Sequence, residues 1–154
     1  MRRQPNGKKG KKKVDVWTYN RAKKALPYLK EITRSIRENY LAAQACKRQL
    51  DIIDHKKGRH DRMDFIRMQE LSVDRQQLES KFQQDVDELE EMGIYLVSPI
   101  EGLIAIPFVT DEQLAWFLLE LHAEDPLNSW RYQADPLETR RPVTPKEMGT
   151  TWVN

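Results

Sequence analysis

Two stretches decide how this chain folds: residues 18–57, TYNRAKKALPYLKEITRSIRENYLAAQACKRQLDIIDHKK, and residues 62–92, RMDFIRMQELSVDRQQLESKFQQDVDELEEM. In the first, Leu29, Ile32, Ile36, Asn39, Ala43, Cys46, Leu50 and Ile53 follow one another at spacings of three and four. That is an apolar seam down one side of a helix, interrupted only at Asn39, with Tyr40 beside it. The second carries a matching seam of Met68, Leu71, Arg75, Leu78, Phe82, Asp85, Leu89 and Met92, preceded by Phe65. Two of its positions are charged, and Val86 is placed to turn in beside Asp85.

Only GRHDR, residues 58–62, separates the two helices. Gly58 tolerates the left-handed backbone that ends a helix, and Asp61 or Asp64 suits the cap of the next. So short a link makes the helices antiparallel neighbours. Ile53 then faces Phe65, Leu50 faces Met68 and Leu29 faces Leu89, while small Ala43 lies opposite Arg75 and gives it room to reach outward. At ~1.5 Å per residue each arm runs roughly 45–60 Å, longer than a compact domain needs. Such a rod leaves surface for a partner or a second copy. Thr18 is a good N-cap for the first arm. Pro27 lacks a donor and crowds the turn before it, so Tyr19 to Leu26 is expected as a short first segment, with the long arm starting afresh or kinking at Pro27.

Downstream the pattern changes. Gly93 stops the second helix, and residues 94–97, 102–109 and 114–122 read as three short strands, the last two antiparallel across a polar turn. A helix is the competing reading of 114–122. Pro107 should push the distal part of its strand to a sheet edge or a bulge. Residues 129–132 suit a fourth strand. The rest, with Pro136, Pro142 and Pro145, reads as coil over the surface, with Trp152 available to pin the end. The fold class expected is α+β: a long, coiled-coil-like antiparallel helical hairpin bearing a small antiparallel sheet near its open end. Residues 1–16 form a disordered basic tail, 17–143 the folded unit and 144–154 a C-terminal tail.

Bulk properties narrow the function. Of 154 residues, 39% are hydrophobic and 32% charged, a balance that favours a helical rod over a thick core. No apolar run approaches the ~20 residues that cross a bilayer, and the N-terminus has no apolar signal core. The single cysteine, Cys46, rules out an internal disulfide, fits a reducing cytoplasm and reads as a buried small hydrophobe in the seam. The net charge of +2 hides an asymmetry: Arg2, Arg3, Lys8, Lys9, Lys11, Lys12 and Lys13 are seven cations, and subtracting them leaves −5 on the remainder. That tail suits phosphate or nucleic-acid contact without base readout, having no aromatic residue to stack; a solubilising tail is the plain alternative.

Chemistry-bearing groups are few. As a strand, residues 114–122 would set Glu120, His122 and, just beyond, Glu124 on one face, where they could hold a metal or share a proton, or merely be solvated. His55, His60, Asp61 and Asp64 gather at the hairpin tip, most simply as a charged turn. Trp130, Arg131, Arg140 and Arg141 suit an anion or an acidic partner; alternatively the arginines pair with Glu101, Glu120 or Glu124 and lock the C-terminal coil. There is no zinc-protease, P-loop, nucleophile-elbow or zinc-ribbon spacing. No catalytic residue, metal or cofactor is assigned.

The order of these features resembles the prokaryotic domain of unknown function 2203 family. The resemblance lies in WTYNRAKKALPYL (17–29), ELEEMGI (88–94), EGLIAIPF (101–108), and Trp130 followed by Arg-Arg-Pro at 140–142. It implies a helical hairpin followed by a short β unit and brings no activity with it. The family's Cys-Trp of the third strand and its later Trp-His correspond here to Leu119-Glu120 and Trp130-Arg131, and Ala123 stands where a Gly precedes the acid. A site made from that Cys and His would be missing. The function expected is therefore a non-catalytic interaction or scaffold protein that self-associates or binds a partner through the hairpin. The alternatives are a small-ligand, anion or metal binder, possibly an enzyme, or nucleic-acid binding by the tail.

Overall fold

The computed structural model describes residues 15–149. Two long helices, α1 (Tyr19–Asp54) and α2 (Arg62–Glu91), lie against each other. Five strands follow: β1 (Tyr95–Ser98), β2 (Leu103–Thr110), β3 (Gln113–Glu120), β4 (Ser129–Tyr132) and β5 (Arg141–Pro142). They form one antiparallel sheet in chain order, and a single helical turn, α3 (Pro145–Met148), ends the described chain.

The helix ends are set locally. Thr18 Oγ1 accepts from Arg21 N–H at 3.1 Å. At the tip Asp61 and Asp64 cap reciprocally, Asp64 N–H donating to Asp61 Oδ1 (2.8 Å) and Asp61 N–H to Asp64 Oδ2 (3.0 Å), a capping-box arrangement. Gly58 does take a left-handed conformation (φ +87°), but inside the turn; α1 has already ended at Asp54.

Cross-helix pairs keep the expected register: Ser35 to Asp85, Tyr40 to Phe82, Gln49 to Arg67 and Lys56 to Asp64. Every position of both seams is buried or half-buried. The polar positions are not interruptions. Buried Asp85 accepts from Ser35 Oγ (2.7 Å) and Lys81 Nζ (2.9 Å), and Asn39 Nδ2 donates to Ser35 Oγ (3.2 Å), so the polar layer ties the arms together.

The sheet alternates as strands should. Ile104, Ile106 and Phe108 of β2 with Ala115, Phe117 and Leu119 of β3 point at the near ends of the helices, where Leu29, Ile32, Ile36, Val86 and Leu89 complete the core. Phe108 stacks on Phe117 with centroids 3.7 Å apart, and Tyr19 meets Phe117 edge-on. The other face carries a smaller cluster, Leu103, Ala105 and Leu118, shielded by Val97 and Trp116.

Several expectations are corrected. Pro27 neither restarts nor ends the helix; α1 runs through it, because Pro27 and Lys23, whose carbonyl loses its partner, lie on the exposed side where water serves instead. The third strand stops at Glu120 rather than residue 122. Residues 141–142 and 145–148 are strand and helix, not coil. Cys46 is half-buried rather than buried. Pro107 produces no bulge against β3, but its N–H-less side is a sheet edge: β1 pairs only as far as Ala105, and the Pro107 carbonyl there accepts from Trp17 N–H at 2.7 Å. Trp17 itself is buried, and its Nε1 donates to Met92 O (2.9 Å), pinning the chain's entry to the end of α2.

Candidate functional site

The polar triad expected on one strand face does not form. After Glu120 the chain turns: Leu121 N–H donates to Gly102 O (2.9 Å) and Glu120 N–H to Pro126 O (2.9 Å). His122 and Glu124 therefore sit on an exposed turn beyond the strand, and the alternation that would align them with Glu120 is lost. Glu120 divides two shallow clefts. His122 and Glu101 line one of about 360 Å³, while Glu124, Asp125 and Arg140 line the other, of about 400 Å³. Among the described residues no three His, Cys, Asp or Glu side chains are grouped to hold a metal. Glu120 is engaged by Arg140, whose Nε donates to it at 2.9 Å and whose Nη1 donates to the carbonyls of Leu137 and Thr139.

The other arginines and the tryptophan lie on β4 and β5, Trp130 and Arg131 buried and Arg141 half-exposed. Trp130 is buried edge-on against Phe108 and Tyr132, its Nε1 donating to Pro142 O (3.1 Å). Buried Arg131 spends Nη1 on the carbonyls of Tyr132, Gln133 and Asp135. Arg141 makes a two-pronged bond to Asp135, Nε to Oδ2 at 2.8 Å and Nη2 to Oδ1 at 3.0 Å, with its guanidinium 4.7 Å from the Tyr132 ring centroid. That bond holds the Asp135 carboxyl down at about 2 and raises Arg141.

A second network closes the same end. Lys146 Nζ and Tyr132 OH both donate to Asp111, at 2.7 and 2.6 Å, so Asp111 is lowered, by Lys146 first, while Tyr132 and Lys146 are raised by it. Asp111 and Glu112 form the two-residue turn between β2 and β3, both with positive φ (+54° and +62°), a conformation non-glycine residues seldom hold. Its bonds to Lys146 and Tyr132 help to hold Asp111 there. The cluster thus clasps the C-terminal segment to the sheet. Of the residues singled out from sequence, Trp130, Arg131 and Arg141 come together and Arg140 joins Glu120; His122 and Glu124 stand apart. Asp135, the partner of Arg141, and the Asp111–Lys146–Tyr132 network were not foreseen, since nothing local in the sequence marks those pairings.

The tip groups are also committed to structure. His60 Nε2 donates to Ile53 O (2.7 Å), His55 Nδ1 to Asp51 O (2.8 Å), and Lys56 Nζ to Asp64 (2.7 Å), which raises Lys56 and lowers Asp64. Around them apolar side chains are left in solvent: Ile52, Met63, Phe65 and Ile66 are 71, 66, 59 and 40% exposed. Phe65 meets the His60 ring edge-on rather than closing the seam. Farther along, Ala43 and Arg75 face a cleft of about 190 Å³ between the helices, as their opposition predicted, and Arg75 reaches out to Glu79 (2.9 Å). The cations Arg2, Arg3, Lys8, Lys9, Lys11, Lys12 and Lys13, and Trp152, lie outside the described residues. Among the described residues no helix is long and apolar enough to cross a membrane.

Compared with known proteins, residues 15–143 match a family described as an uncharacterized conserved protein, DUF2203. No curated protein and no solved structure matches the chain.

Proposed function

This chain belongs to the DUF2203 family, which lends it no activity, and from that premise we propose that it works by association, self-associating through its helical hairpin rather than catalysing a reaction. The observation that carries the reading is the apolar far end of the hairpin. Ile52, Met63, Phe65 and Ile66 are exposed there, at the end away from the sheet, and Phe65 and Ile66 line one shallow depression with Arg62, Gln69 and Glu70. Neighbouring exposed apolar side chains such as Phe65 and Ile66 mark surfaces that meet another molecule. The polar groups elsewhere support it by subtraction: the arginines and Asp135, Asp111 and Glu120 hold the fold together through one another.

Light scattering on the full chain across a concentration series tests the reading. A mass approaching twice the monomer as concentration rises is the expected result. A strict monomer up to the highest soluble concentration contradicts self-association. Replacing Phe65 and Ile66 with serine should lower the association.

A further inference from the structure

The association reading, on which this inference rests, can be taken to one face. On the side of α2 opposite its seam runs a second series at spacings of three and four: Ile66, Gln69, Val73, Gln76, Ser80 and Gln83, all exposed. None of these six is charged, in a chain of which 32% is. The outward face of α1, with Arg34, Glu38, Leu41, Ala45, Arg48 and Ile52, carries three charges over a similar length. An ordinary solvated face looks like that of α1. The face of α2 stays uncharged over ~25 Å of helix, with the 3.5-residue period that suits packing against another helix. Glutamine and serine can be covered at modest cost if a partner amide or hydroxyl faces them, whereas a buried unpaired Lys or Glu cannot.

The ends of the series say what covers it. The same spacing continues to Arg62 before Ile66 and to Asp87 after Gln83. Among the described residues no ion pair or hydrogen bond engages the Arg62 guanidinium, and Asp87 takes only Gln83 Nε2 (2.9 Å). We propose that this face packs antiparallel on the same face of a second copy, about a two-fold axis crossing the helices between Asp74 and Arg75. Arg62 then meets Asp87 of the second copy, twice over. Ile66 meets Gln83, Gln69 meets Ser80, and Val73 meets Gln76. The flanking positions pair Phe65 with Glu79, Glu70 with Gln84, and Ser72 and Gln77 with themselves, with no like-charge contact. A parallel pairing would set Arg62 on Arg62 and Asp87 on Asp87. Charge complementarity therefore selects a second copy, inverted, and a self-complementary patch is what a two-fold dimer requires.

A charge reversal tests this on the full chain. Arg62→Asp lies in the first turn of α2 and Asp87→Arg just before its last, so neither change opposes the helix dipole and the monomer should keep its fold. Each alone should raise the dimer dissociation constant by about tenfold, by analogy with close charge pairs at other interfaces, and Arg62→Asp with Asp87→Arg together should restore it. Val73→Glu, on the outer face near the axis, should give a monomer of unchanged helix content by circular dichroism. If the wild type dimerises and Val73→Glu leaves the dimer intact, this face is wrong while self-association stands. If the double reversal fails to recover what each single change loses, the antiparallel alignment is wrong. A wild type that never dimerises overturns both this inference and the reading beneath it.

Discussion

The hairpin has two halves built on one sequence rule, and they end in different states. In the half beside the sheet, Leu29, Ile36 and Leu89 are wholly buried, with Ile94, Ile106 and Phe117 packed into the same core. In the half beyond it Leu71 is still buried, but toward the tip Leu50, Ile53 and Met68 hold the same kind of seam position and are only half-buried. Two helices cover only one stripe of each other. A third layer seals the flanks of that stripe over several turns, and the sheet supplies it at one end alone; beyond it single positions such as Leu71 stay dry while those nearest the tip do not. Seam spacing therefore specifies which helix faces meet, and the neighbouring layer specifies how dry the contact becomes.

That contrast can be broken by substitution. Leu89→Ala, in the sealed half, should cost about 2–5 kcal/mol in chemical denaturation, as deletions in closed cores do, whereas Met68→Ala, at the matching seam position of the open half, should cost about 1 kcal/mol or less. Equal losses would mean the halves are equally packed. Between them lies the Asp85 layer. Ser35→Ala removes one of two partners of a buried carboxylate and should cost about 1–3 kcal/mol, read by the same denaturation curves.

The sheet end should also answer to acid, and more strongly than the tip, where Lys56 lowers Asp64 as well. With its carboxyl at about 2, below the ordinary 3.8, Asp135 contributes stability above the unfolded value that is lost as pH falls through about 2. Thermal melts should therefore decline from about pH 4 toward pH 2, and Asp135→Asn should flatten that part of the profile. An unchanged profile would show that the Arg141–Asp135 bond does not hold in solution. The smallest effect on stability belongs to the tip: Phe65→Ser should shift the monomer by no more than about 0.5 kcal/mol, being mostly in water already.

What could be read from sequence follows the same division between local and tertiary causes. The helices, their order and their register were readable because seam spacing and the Asp61–Asp64 cap are local. Four strands, β4 at residues 129–132 among them, and the α+β class were readable from β-branched and aromatic runs and turn residues. β5 was not, since two residues carry no pattern; it exists because Trp130 Nε1 and Asn128 O hold Pro142 and Val143 in place. The end of β3 was misplaced because Gly102 and Pro126 carbonyls, distant or beyond the strand, claim the amides of Leu121 and Glu120. That error placed His122 and Glu124 on a face they do not share. The arginines were recognised as a group and Glu120 was named among their partners, as Arg140 shows, but Asp135 was not, since only the turn between β4 and β5 brings it to Arg141. The uncharged outer series of α2 was open to inspection throughout; polar residues hid a period that apolar ones would have advertised.

Hydrogen exchange at two protein concentrations bears on the association of the open half. The amides of residues 62–87, above all those near Val73, should become more protected as concentration rises, while those of β2 and β3 stay as they were. Protection in α2 that is the same at both concentrations, with the chain monomeric throughout, would contradict it.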